Sequence, residues 1–248
     1  MLMSIDELTK VWGLFPNGVL HVGAHLGEEA SDYERFGWIP IIWVEAQPVL
    51  ATKLHERLNP TIHSVINATV WDQDGVEMKF KLASNSQSSS LLAFGTHAVD
   101  YPEVSYTEEF EVTTQRLDTL LKDYAVPNFI NLDIQGAEAM AIKGLGASLD
   151  SIEAIYTEIN RKEVYLGCTK IKDLDTLLKN AGFHRVATRW VLGRGWGDAL
   201  YLRRSLGRPV VKQKVLSFLF AAKHYGGQGV GIFRRTISGS IRVVAHKL

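Results

Sequence analysis

The sequence predicts a doubly wound α/β fold with a mostly parallel sheet, and three observations carry that expectation. Short apolar runs alternate with amphipathic stretches of helical period, the chain order of a sheet covered on both faces. Several of those runs (VLHV, IIWV, FINL) are mostly apolar and do not alternate with polar residues, as strands buried on both sides require. The first run stops at the glycines of GAHLG (23–27) and passes directly into a helical stretch.

Each element can be justified in turn. VLHV (19–22) is the first strand, and EEASDYERFG (28–37) is a helix that Gly37 ends. IIWVEA (41–46) is the second strand; Pro48 then suits the first turn of the helix VLATKLHERL. Residues 62–70 and 76–82 alternate apolar and polar side chains around DQDG (72–75), which reads as two strands joined by a turn. The serine-rich stretch 83–111 fits no periodic pattern and is expected to be a long excursion over the carboxyl edge of the sheet, a lid or substrate wall. A short helix over 116–124, a strand over 129–134, a helix over 137–145 and a strand over 151–159 follow. IKDLDTLLKNAG (171–182) places Ile171, Leu174, Leu177 and Leu178 on one helical face before Gly182 stops it. FHRVATRWV (183–191) and DALYLRR (198–204) form a closing pair around a glycine-rich turn.

Composition narrows the function classes. The chain has 248 residues, 46% of them hydrophobic and 22% charged, enough to bury one sizeable core. No run of about 18 uncharged apolar residues is present, and the amino terminus is not patterned as a secretory signal, so a cytoplasmic protein is expected. Cys168 is single, which fits a reducing compartment. The formal net charge of +0 hides an imbalance: residues 1–198 hold all 27 acids and 17 of the Lys and Arg, while residues 199–248 hold ten Lys and Arg and no acid.

The glycine turn is a nucleotide-binding geometry, because glycines let a helix start approach a ligand and its N–H groups favour an anionic end. Glu45 closes the second strand 18 residues past Gly27, where a carboxylate can accept both hydroxyls of a ribose. A full dinucleotide fingerprint would have glycines where this chain has His25 and Glu28, which argues against NAD and FAD. The smaller amino-acid end of S-adenosylmethionine needs no such approach. At the reaction end, Asp133 in FINLDIQGAE lies at the carboxyl end of a strand expected beside the first, and Glu158 in IEAIYTEI reaches the same rim. Asp133, Glu158 and His25 are the candidates to take a proton from a hydroxyl acceptor. Asp133, Glu158 and Asp198 could in principle converge on a hard cation, but no zinc spacing is present and no metal is assigned.

Together these segments resemble the FkbM-type methyltransferases, a branch of the class I S-adenosylmethionine-dependent enzymes. The resemblance runs from VLHVGAHLGEEASDYERFG through WVEAQP, the serines before Leu91, VTTQRLDTLL, FINLDIQGAEAMAIKGL and IYTEIN to DALYLRR. It implies a seven-stranded Rossmann-like sheet over residues 1–204, with 205–248 as a basic extension. It also implies a cofactor site at Gly23, His25, Gly27, Glu45, Ala46, Ala68, Asp133 and Glu138, with Ser89 and Ser90 nearby. The implied reaction is methylation of a hydroxyl on a small molecule or glycan. Departures from the family pattern are His21 and His25 for the usual Asp and Asn, Asn131 for a common lysine, and Gln135 for a glutamate.

Two rivals stand beside this reading: a nicotinamide-dependent oxidoreductase acting on a sugar or nucleotide-sugar, and a non-catalytic binding protein on the same fold. The basic extension reads as a helix over 210–225 and a hairpin over 232–248. It can pack on the acidic body or a partner, or touch an anionic membrane peripherally; nucleic acid is the least favoured partner, because no recognisable reader accompanies the basic residues. Oligomeric state is not legible.

Overall fold

The computed structural model describes residues 1–207 and 211–225. The first half of the chain runs α1 (Ile5–Lys10), β1 (Val19–Val22), α2 (Ala30–Arg35), β2 (Ile41–Glu45), α3 (Pro48–Arg57) and β3 (His63–Asn67). A middle section follows with β4 (Thr69–Val70), β5 (Glu77–Ala83), α4 (His97–Asp100), β6 (Tyr106–Gln115) and α5 (Leu117–Leu120). The last part comprises β7 (Phe129–Leu132), α6 (Glu138–Gly144), β8 (Ala154–Asn160), α7 (Ile171–Asn180), β9 (Phe183–Trp190), β10 (Trp196–Arg203) and α8 (Val211–Tyr225).

Seven of the strands form one sheet in the order β3-β2-β1-β7-β8-β10-β9. All neighbours are parallel except β10, which runs antiparallel to both β8 and β9. Strand order reverses at β1, which lies between β2 and β7. Crevices at such a reversal are where open α/β sheets bind ligands. Successive residues of the central strands alternate between two cores: Leu20, Ile130 and Ile155 pack on one face, Val19, Phe129 and Trp43 on the other. Burial on both faces is why these strands read as mostly apolar runs without alternation.

The middle section departs from the sequence expectation. Residues 62–70 and 76–82 do hold strands on either side of the DQDG turn, but these do not pair with each other. β3 joins the main sheet parallel to β2, while β5 pairs antiparallel with β6 in a separate three-stranded sheet, β4-β6-β5. Half of β6 lies inside the stretch expected to be one irregular excursion. Alternation identifies strands but does not say which strand is the partner. The partner signal was charge: Lys79 faces Glu111 and Lys81 faces Glu109, with Phe80 opposite Phe110 between them.

Helix α1 had no sequence expectation, and its Ile5 and Leu8 fill the second core cluster. Helix α8 docks on the body. Ser217 donates to Glu7 Oε1 (2.6 Å), Arg189 Nη2 donates to Ser217 Oγ (2.8 Å) and to Glu7 Oε1 (2.6 Å), and Ala221 is buried beside them. The hairpin expected over 232–248 lies outside the described residues. Among the described residues, no helix is long and apolar enough to cross a membrane.

Candidate active site

A cavity of about 720 Å³ opens at the carboxyl ends of β1, β2, β7 and β8, roofed by residues 85–104 of the middle section. Of the residues expected from sequence, Gly23, His25, Glu45, Ala46, Ala68, Asp133 and Glu158 line it. Gly27 and Glu138 do not.

The cofactor end begins at the bend after β1. Gly23 has φ +85°, and a Cβ there would meet the Asp133 carbonyl oxygen at 1.8 Å, so only glycine lets β1 and β7 end this close together. His25 is held at φ +47°, its ring nitrogens on Glu28 Oε1 (2.6 Å) and Ser86 Oγ (2.8 Å). Histidine is among the few residues that tolerate this left-handed conformation. Glu45 closes β2, and its two carboxylate oxygens accept the His25 and Gln47 backbone N–H groups at 2.8 Å each. Burial pushes its carboxyl above the usual range, against those two donors. The bend after β1 and the acid after β2 are therefore joined by a direct hydrogen bond.

Gly27 faces away from the cavity toward Leu54 and Arg57 of α3, where a Cβ would lie 2.8 Å from the Leu54 side chain. It sets how closely the turn packs on α3. Glu138 is buried behind the β7 turn; its Oε1 accepts the N–H groups of Ile134 (3.2 Å) and Gly136 (2.9 Å). Burial raises its carboxyl to about 7. Its contribution is to hold the backbone that carries Asp133 and Gln135.

The reaction end is built from β7, β8 and β10. Asp133 follows the last residue of β7, and Gln135 just after it sits at φ +55°, a second strained position at the cavity. The Gln135 amide nitrogen donates to Asp133 Oδ1 (2.6 Å) and to Glu158 Oε2 (3.1 Å), while its carbonyl oxygen accepts the Tyr165 hydroxyl. Burial, followed by the charges of Asp133 and Glu138, holds Glu158 well above the ordinary carboxylate range. Asp198 on β10 lies directly across from Glu158 and accepts the Tyr156 hydroxyl and the Leu2 N–H; burial raises it too.

A family model describing the methyltransferase FkbM domain matches residues 21–185. The chain belongs to this family. Its cofactor is S-adenosylmethionine. No curated protein matches the chain in sequence. Among solved structures, it is similar to the magnesium protoporphyrin IX methyltransferase of Synechocystis PCC 6803 with bound SAH, at 10% identity over 80% of this chain and 81% of that one (TM-score 0.46). It is similar as well to a SAM-dependent methyltransferase from Aquifex aeolicus, at 12% identity over 81% and 90% of the two chains (TM-score 0.44). The CcbJ methyltransferase of Streptomyces caelestis is 10% identical over 80% and 95% (TM-score 0.43).

Against the FkbM pattern, two of the departures are a single change in space. His21 and Asn131 are register partners on β1 and β7, with Asn131 Nδ2 3.3 Å from His21 Nε2 and donating to the Tyr33 hydroxyl at 3.1 Å. Burial lowers His21, keeping it neutral. Where the family commonly has an acid and a lysine, this protein has two neutral groups. Gln135 likewise replaces a carboxylate with an amide that bridges two others. Asp133, Glu158 and Asp198 do all line the cavity, yet among the described residues no group of three or more His, Cys, Asp or Glu could hold a metal ion. Sequence reasoning missed Tyr165, Trp196 and His97, which lie outside any motif and reach the cavity only through the tertiary fold.

Proposed function

We propose that this FkbM methyltransferase transfers the methyl group of S-adenosylmethionine to a hydroxyl oxygen of a small molecule or glycan. The observation that supports this reading best is the placement of Asp133. It stands in the same cavity as the Gly23 bend and Glu45, tied through Gln135 to Glu158.

The residues fit the cofactor. The bend at Gly23 leaves room that any side chain would fill, and Glu45 has lone pairs beyond its two backbone partners for ribose hydroxyls. Ala46 and Ala68 are small and line the cavity beside Glu45, with the Ala68 N–H on the Glu45 carbonyl at 3.1 Å. Bound S-adenosylmethionine supplies a methyl on a positively charged sulfur; the acceptor oxygen takes the methyl and the C–S electron pair returns to sulfur. Asp133 accepts the proton that the hydroxyl loses, and the Gln135 amide fixes the carboxylate for that task. Because the displacement is direct, holding the acceptor in line supplies much of the rate.

Calorimetric titration with S-adenosylmethionine, S-adenosylhomocysteine and NAD tests the reading. Micromolar binding of the first two and none of NAD is expected. Preference for NAD would return the oxidoreductase reading. Binding without turnover on any hydroxyl compound would favour the non-catalytic one.

For the basic extension we propose peripheral contact with an anionic membrane. Opposite its docked face, α8 exposes Val215, Phe218 and Leu219, and residues 205–248 carry eight Lys and Arg and no acid. Pelleting with acidic vesicles that weakens as salt rises is expected; no pelleting would end the idea.

A further inference from the structure

Among the described residues, the cavity is lined by seven carboxylates and by no lysine or arginine; its one fixed cation is the Met1 amino group, 3.6 Å from Glu29. Asp133, Glu158 and Asp198 occupy the reaction end, Glu45 the cofactor end, and Glu28, Glu29 and Glu103 stand nearer the rim. If the methyl-transfer reading holds, the donor brings a sulfonium and an ammonium, but also a carboxylate of its own. That is too little positive charge to match the set. The family's common lysine, which would stand beside Asp133, is Asn131 here.

A second feature adjoins the acids. Tyr165, His97, Tyr101 and Trp196 make a continuous aromatic wall on the cavity. His97 lies 5.0 Å from Tyr101 and 5.5 Å from Tyr165, ring centre to ring centre, and the Trp196 indole N–H donates to the Tyr101 hydroxyl at 3.1 Å. The wall meets the acids at Tyr165, whose hydroxyl holds Gln135. His97 is 5% exposed, and its Nδ1 has no hydrogen-bond partner within the protein. With the proton on Nε2, which lies 3.2 Å from Ser88 Oγ, that Nδ1 is left as an acceptor. Carboxylates beside aromatic faces and an unused acceptor make a recognition site for an organic cation.

We propose that the methyl acceptor is a hydroxylated amine, cationic at neutral pH, whose ammonium group pairs with Glu158 while its hydroxyl faces Asp133. One amide nitrogen of Gln135 touches both carboxylates, so the two acceptor groups belong on neighbouring carbons, as in a 2-amino alcohol or an amino sugar. The ammonium is the anchor and not the nucleophile: a carboxylate cluster stabilises the protonated amine, which has no lone pair to attack with. The hydroxyl therefore takes the methyl. Phosphorylated acceptors are disfavoured for the same reason, since an anion here would face several buried carboxylates, and the one cation on the cavity, the Met1 amino group, is already beside Glu29 at 3.6 Å.

The test uses the full chain loaded with S-adenosylhomocysteine, titrated with glucosamine, glucose and glucose 6-phosphate. These share a skeleton and differ in charge. Glucosamine is expected to bind at least about tenfold more tightly than glucose, the least that a buried charge-assisted hydrogen bond contributes. Glucose 6-phosphate is expected not to bind, and Glu158→Gln should erase most of the glucosamine advantage. Equal or better binding of glucose or the phosphate, or no binding of any of the three, overturns the proposal; the wild-type series decides even if the variant folds poorly. Failure to load S-adenosylhomocysteine would instead count against the methyl-transfer reading.

Discussion

Glu7 and Glu158 are both buried, but one carries its own cation and the other does not. Glu7 accepts from the Arg189 guanidinium and the Ser217 hydroxyl at 2.6 Å each, joining α1, β9 and α8, and none of the three lines the active-site cavity. Glu158 has only the amides of Gln135 and Asn160, and shares its surroundings with Asp133 and Asp198. A buried carboxylate with a guanidinium is a structural joint. A buried carboxyl without one, facing a cavity, is held toward its protonated form, and on the proposal above an ammonium ligand takes the place of that proton. Glu45 is the intermediate case, satisfied by two backbone N–H groups yet still open to the cavity.

The largest expected effect separates the two classes. Asp133→Asn should lower turnover by about a thousandfold, within the range that general bases contribute. Its binding of S-adenosylhomocysteine and its melting temperature should hold or rise, because removing one of several uncompensated carboxylates relieves repulsion. Loss of fold in that variant would erase the distinction. Arg189→Met should do the reverse, costing about 3 kcal/mol of stability by leaving Glu7 buried without its cation, as urea unfolding would show. A variant as stable as the parent would mean that the joint contributes nothing.

Glu45→Ala should weaken S-adenosylmethionine binding by about thirtyfold, roughly 2 kcal/mol, since a ribose contact and the bend it steadies are lost together. Titration calorimetry measures this, and unchanged affinity would exclude Glu45 from the site. A smaller effect concerns pH. Folded Glu138 keeps its proton up to about 7, whereas in the unfolded chain it ionises near 4.5. The folded state thus binds more protons across that window, and stability must fall as pH rises through it. Melting temperatures should decline more steeply for the parent than for Glu138→Gln between those limits, by about 2 to 4 °C for each kcal/mol involved. Parallel curves would show that Glu138 does not hold a raised value. The smallest change is expected of Ser217→Ala, about 1 kcal/mol, because Glu7 keeps Arg189.

How much was legible follows from which interactions are local in sequence. The strand–turn–helix at VLHVGAHLG could be read because buried parallel strands are mostly apolar runs and the turn needs glycine. Glu45, Asp133 and Glu158 could be read because each is a charge placed at the end of, or within, an apolar run, where burial alone gives it no reason to be. The pairing of β5 with β6 was not seen, since the two are separated by the whole excursion and only their opposite charges match. Gly27 and Glu138 were expected at the cofactor because they belong to the right segments. The direction in which each faces, toward α3 and into the turn after β7, is a property of packing.

The sequence by itself determined the alternation of strands and helices, the glycine bend, the acids at the strand ends and the family they resemble, because each is written in neighbouring residues. Only the tertiary structure decided that Gln135 bridges Asp133 and Glu158, that His21 and Asn131 form one neutral pair, and that an aromatic wall adjoins a cavity whose carboxylates far outnumber its cations. Those facts depend on residues brought together from distant parts of the chain, and charge balance within a cavity exists only once its walls are assembled.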